Sequence, residues 1–76
     1  VKPLSSLKRG ESGRVSSLSA TLVGGERRRM LDLGFVPGTR VERDFDSMLG
    51  SPTAYRVRGA TVALRLEQAD RVFLEA

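Results

Sequence analysis

Residues 27–42, "RRRMLDLGFVPGTRVE", put three consecutive arginines, a short apolar stretch, a glycine and a proline-glycine pair into one passage. How that passage divides decides the fold. Gly34 follows the apolar stretch directly, where a left-handed residue closes a helix, and "VPGT" (36–39) then makes a turn centred on Pro37 and Gly38. A helix therefore ends at Leu33 and a strand begins near Val41. Upstream, Gly24 and Gly25 would each weaken a helix by about 1 kcal/mol, which places the helix at 26–33.

Outward from this passage the apolar pattern changes to period two. Val41, Arg43 and Phe45 share one side of an extended segment, with Phe45 expected in the core, while Glu42, Asp44 and Asp46 share the other side and should face water. "LGSP" (49–52) breaks the strand. "TAYRVRG" (53–59) resumes it with Tyr55 and Val57 inward and Arg56 and Arg58 outward. Gly59-Ala60 then turns the chain into 61–66, with Val62 and Leu64 inward. "EQAD" (67–70) is a single helical turn, and 71–75 is a closing strand with Val72 and Leu74 on one side. Before the helix, Leu4 and Leu7 anchor an approach, a turn lies around Gly10 and Gly13, and a first strand covers 13–18. The expectation is a mainly β fold, a small five-stranded barrel with a short inserted α-helix, because closure spares a small antiparallel sheet from unpaired edges.

Composition bounds what such a fold can do. Seventy-six residues make one domain, 1–76, that buries only about 60% of the surface its unfolded chain exposes, so an enclosed active site has little room. Cysteine and histidine are absent, which removes disulfides, thiolate nucleophiles, imidazole bases and the usual zinc ligands. The serines at 16, 17 and 19 have no such base to activate them. No apolar run is long enough to cross a bilayer, and no signal-peptide pattern is visible. The chain begins at Val1 instead of methionine, as a trimmed chain or a piece of a longer one would. The expectation is a cytoplasmic protein that is not an enzyme and carries no cofactor.

Thirteen cations, eleven of them arginine, against nine acids leave a charge of +4, a balance that attracts nucleic acid, anionic membrane or an acidic protein face. The four aromatic residues fall at core positions, which leaves no stacking platform for single-stranded nucleic acid. "GGERRR" (24–29) lacks the lysine-Ser/Thr pair and the spacing of a phosphate-binding loop. Glu42, Asp44 and Asp46 are oxygen donors suited to a hard cation, yet alternate strand residues lie about 7 Å apart and do not converge on one ion. No metal site is expected.

On a helical projection Met30, Leu31 and Leu33 occupy one sector, and Arg28, Arg29 and Asp32 lie opposite. Arg27 falls between Met30 and Leu31, so its stem should lie on apolar surface with its guanidinium in water. Arg28 and Asp32, four apart, are spaced to pair for about 0.2–0.5 kcal/mol. With a start at Glu26 the arginines fill the first turns, where the macrodipole disfavours each by about 0.3–1 kcal/mol. A solvated helix face is the ordinary reading of such a charge run; placement at that cost sets contact with an acidic partner beside it, with Arg28, Arg29, Arg56 and Arg58 as the candidate contact residues.

"RRMLDLGFVPGTRVE" (28–42), "SPTAYRVRGATVALR" (51–65) and "EQADRVFL" (67–74) together resemble the FeoA family, small cytoplasmic proteins of bacterial ferrous-iron transport, over nearly the whole chain. The carrying features are Leu31 and Leu33 with the Gly34-Phe35 step, the Pro37-Gly38 turn, the 55–59 strand and turn, and the 63–65 strand. The resemblance implies an SH3-like barrel and an accessory role to the membrane transporter FeoB, whose cytoplasmic portion carries a GTP-binding domain. The C-terminal domain of iron-dependent repressors has a similar barrel and turn pattern, and a basic nucleic-acid-binding barrel is the other alternative. The chain lacks the aromatic groove that reads proline-rich peptides.

Overall fold

The computed structural model describes residues 1–45 and 52–76. Six antiparallel strands, β1 (Lys2–Pro3), β2 (Ser12–Leu18), β3 (Arg40–Arg43), β4 (Thr53–Val57), β5 (Ala60–Leu64) and β6 (Val72–Leu74), run in the spatial order β1-β6-β2-β3-β4-β5. Helix α1 (Gly24–Leu33) connects β2 to β3, and the single turn α2 (Leu66–Ala69) connects β5 to β6. The fold is thus the expected mainly β, SH3-like one, with two corrections. A sixth strand exists because Lys2 and Pro3 pair with Leu74 and Phe73, a segment too short to show alternation in sequence. Among the described residues the sheet also does not close: β1 and β5 are its edges.

β2 holds the two halves together. Ser12, Gly13 and Arg14 pair with Glu42, Val41 and Arg40 of β3, whereas Val15, Ser17 and Leu18 pair with β6. The register shifts between Val15 and Ser17, so Ser16 is the extra residue of a bulge, which bends a strand and increases its twist. The bend lets one strand serve both halves. Between them lies a core that includes Leu4, Leu7, Val15, Phe35, Val41, Tyr55, Val57, Leu64 and Leu74, with the inward residues of β4, β5 and β6 as expected, whereas Phe45 and the half-buried Phe73 lie outside it.

Phe45 is 70% exposed. β3 ends at Arg43, so the alternation stops before reaching it, and its ring lies over Gly10, where a Cβ would stand 3.1 Å from Phe45 Cδ2. Glu42 and Asp44 are half-buried instead of fully facing water. Asp46 and the break at 49–51 lie outside the described residues.

Helix α1 begins two residues earlier than the glycine penalty predicts. Gly24 is the first helical residue and takes φ +64°, a conformation glycine adopts at little cost, and Val23 before it supplies no side-chain cap. Glu26 therefore sits in the first turn, where an acid suits the macrodipole, and it pairs with Arg71 at 3.5 Å. The helix ends as expected. Gly34 takes φ +111°, Phe35 N–H donates to Met30 O at 3.1 Å, and the buried Phe35 ring supplies the apolar contact that accompanies such a closure. Thr39 N–H donates to Val36 O at 3.1 Å with Gly38 at φ +90°, which makes 36–39 a type II turn.

Candidate protein-docking surface

The three adjacent arginines have different surroundings. Arg27 is engaged more than its stem position predicts: it is half-buried, and its Nη1 donates to Ser19 O at 3.2 Å and Leu22 O at 3.1 Å. It fastens the 19–22 loop to the helix. Arg28 and Arg29 are exposed, and Arg28 makes no ion pair with Asp32, because the only ion pair from α1 among the described residues joins Glu26 to Arg71. With the helix starting at Gly24, the arginines stand at its fourth to sixth residues, beyond the stretch where the macrodipole acts most strongly. The macrodipole cost therefore gives little support to a functional reading of the run. Leu31 is 37% exposed beside Arg28, so this outer face carries apolar as well as basic groups.

Arg56 is exposed on β4, opposite Glu42 of β3 and Thr61 of β5. Arg58 is not an outward strand residue as its alternation predicts. It occupies the β4–β5 turn with φ +51°, followed by Gly59 at φ +77°. Two successive positive φ angles define a type I′ turn, and an L side chain in the left-handed region costs roughly 1–2 kcal/mol. The arginine stem lies on Gly34, close enough that a Cβ there would stand 2.8 Å from Arg58 Cδ. A cation at the C-terminal end of α1 is favoured by the macrodipole. The hairpin tip is thereby set against the end of the helix, with Arg28 and Arg29 roughly 7–9 Å up the helix axis from Gly34.

Arg14 and Arg40 are basic residues of the same sheet face that the sequence reading missed. They stand directly opposite each other across β2 and β3, both exposed, an arrangement in which like charges destabilise. Arg14 Nη1 is turned to Gly38 O at 2.9 Å, and Arg40 lies diagonally from Arg56, roughly 7–8 Å away between backbones. Strand alternation would have placed each on the outer face, but only the register shows that they meet. Arg43, also missed, is structural: its Nη1 donates to Leu7 O at 2.9 Å and ties β3 to the N-terminal turn.

Among the described residues no three acids converge as metal ligands. Glu42 and Asp44 stand alternate on one segment, and Asp44 N–H donates to Ala54 O at 3.0 Å. Two titrating groups are displaced from their ordinary values. The Lys8 N–H donating to Glu11 Oε1 at 2.9 Å is the main cause that lowers the Glu11 carboxyl; desolvation opposes it, and the Lys2 and Lys8 charges assist. Burial raises the Tyr55 hydroxyl, Arg43 opposes and Asp70 adds. No helix among the described residues is long and apolar enough to cross a membrane.

The family described as FeoA domain matches residues 2–76. No curated protein matches the chain. Among solved structures, the FeoA of Stenotrophomonas maltophilia in its zinc complex is 31% identical with a TM-score of 0.84, covering 99% of this chain and 91% of that one. That protein is described as a prokaryotic SH3 domain protein, and a role as a ferrous iron transport activating factor is put forward for it. The FeoA protein of Chlorobium tepidum is 30% identical with a TM-score of 0.81, over 95% of this chain and 67% of that one. A manganese-dependent transcriptional repressor, 18% identical, has a TM-score of 0.73 over 96% of this chain and 40% of its own. That likeness shows the shared fold alone.

Proposed function

The chain belongs to the FeoA family, and from that premise we propose that it is a non-enzymatic cytoplasmic accessory of bacterial ferrous-iron uptake. In this reading it docks on the cytoplasmic GTP-binding region of a FeoB-type transporter and adjusts its activity. The family match over residues 2–76 carries the reading, together with the activating role put forward for the Stenotrophomonas relative. Arg28 and Arg29 on α1, Arg56 on β4 and Arg58 in the hairpin turn are the proposed contact residues.

Exposed arginines of this kind act first on encounter. An acidic partner face is drawn in from a distance, association is fast at low salt, and the advantage falls as salt screens it. Arginine adds a planar fork that donates two parallel hydrogen bonds to a carboxylate. Arg58 is held in place by the β4–β5 turn and by its stem on Gly34.

The test is titration of the purified transporter cytoplasmic region with this protein at two salt concentrations, reading affinity and GTP turnover together. Binding is expected, with a loss of about tenfold or more for the double variant Arg28→Glu, Arg29→Glu, larger at low salt. Unchanged affinity removes the helix arginines from the interface, and absence of binding by the unaltered protein removes docking altogether.

A further inference from the structure

The sheet's two edges are finished differently. At one edge β1 is only two residues, Lys2 and Pro3, a charge and a residue with no N–H, both of which discourage another strand from adding there. At the other edge β5 runs five residues, Ala60–Leu64, paired among the described residues with β4 alone, in unbroken register. It carries no charge, no proline and no bulge.

The direction of its backbone groups follows from the neighbouring ladder. Ala54 O accepts from Asp44 N–H at 3.0 Å, so the polar groups of Ala54 point toward β3. Pairs across an antiparallel ladder alternate between bonded and unbonded, and Ala63, opposite Ala54, is therefore in an unbonded pair. Its N–H and C=O point away from β4, and by the same alternation so do those of Thr61. Both residues are exposed, and no backbone group among the described residues bonds to their outward N–H and C=O. On the inner face, Val62 keeps 8% exposure, the most of any buried apolar core residue.

We propose that β5 is a strand-addition site for an extended segment of a partner protein, with acidic residues alternating with apolar ones. The main-chain groups of Thr61 and Ala63 supply the ladder, and the apolar side chains of the added strand cover Val62. The acidic side chains meet cations, because Arg58 and Arg65 flank the edge and both are exposed. Arg56 lies two strand spacings away, about 10 Å. A second copy of the chain is the poorer occupant: antiparallel pairing about Val62 would set Arg65 of one chain beside Arg58 of the other at both ends. Each chain also carries +4. The identity of the partner rests on the transporter-docking reading, whereas the edge chemistry does not.

The experiment measures amide exchange at Thr61 and Ala63 by NMR, with two probes. One is the purified transporter cytoplasmic region; the other is a blocked synthetic peptide alternating glutamate and valine, with a lysine-valine peptide as control. The transporter region and the glutamate peptide should each slow exchange at these two amides by about tenfold or more, and the lysine peptide should not. Ala63→Pro should abolish the effect while keeping the fold, since proline is tolerated on an edge strand where its missing N–H faced solvent. Should that variant fail to fold, the exchange measurement on the unaltered protein still decides. Transporter binding without protection at Thr61 and Ala63 overturns strand addition and leaves docking standing. Peptide protection without transporter binding does the reverse. Protection that appears on concentrating the protein alone overturns the acidic occupant in favour of a second copy, and absence of protection with either probe overturns the site.

Discussion

In the corner from α1 to β3, each departure from regular structure is closed by a specific bond. Phe35 N–H reaches Met30 O, Thr39 N–H reaches Val36 O and Arg14 takes Gly38 O, while at the other end of the helix Arg27 takes two carbonyls of the 19–22 loop. The β4–β5 hairpin is built the opposite way: its ladder is regular over five pairs, its turn is two residues long, and its outer rim is left open. The corner binds its polar groups to its own carbonyls and so fixes a helix on a thin core. The hairpin, whose own ladder suffices, leaves main-chain groups and arginines facing outward. Polar groups bound within the fold and polar groups left facing outward thus differ between two adjoining regions of a very small domain.

The two regions touch at Gly34 and Arg58, so that contact is where the comparison breaks most visibly. Gly34→Ala should cost about 1–3 kcal/mol, combining the left-handed backbone with a Cβ pressed on the arginine stem. In an Arg58→Ala background the steric part disappears and roughly 1–2 kcal/mol of backbone cost remains. Denaturant midpoints of the four proteins in this double-mutant cycle measure the coupling. Equal costs in both backgrounds would show that corner and hairpin stand independently.

A smaller effect separates neighbours within the arginine run. Arg27→Ala removes two charge-assisted bonds to loop carbonyls, and about 1–2 kcal/mol of stability should go with them. Arg28→Ala, on the outer face, should stay within about 0.5 kcal/mol. If chemical denaturation gives the two variants the same midpoint, the division into a structural arginine and an interaction arginine fails.

That division also marks what the sequence could reveal. The helix end at Gly34, the 36–39 turn and the inward residues of β4, β5 and β6 were legible because each is dictated by residues a few positions away. Phe45 was misread because alternation carries no signal for where a strand stops. Arg27 and Arg43 were not legible as structural groups, since their carbonyl partners at Ser19, Leu22 and Leu7 are brought to them only by the tertiary fold. Of the candidate contact arginines, three were correctly placed on outer surfaces, and Arg58 was placed on a strand when it forms the turn. The facing of Arg14 and Arg40 needs a register, and the open β5 edge needs the full strand order.

The least of the expected effects concerns how the hairpin is anchored, and a single chromophore reports it. Tyr55 is the only tyrosine in the chain and points from β4 into the core opposite Arg43. Burial is the main cause that holds its hydroxyl above the ordinary 10.0, and Asp70 adds to it against the opposing Arg43. The unfolded chain therefore releases this proton at a lower pH than the folded one, so the native state binds more protons over that interval. Tyr55 then contributes stability fully below pH 10, and that contribution declines as pH rises through the folded value. Phenolate absorbance, which here reports one residue, should show a midpoint above 10.0 in the native protein. Denaturant midpoints should fall more steeply above that pH in the unaltered chain than in Tyr55→Phe. A phenolate midpoint at or below the ordinary value would mean that water reaches Tyr55 and that the hairpin is anchored less deeply than the corner.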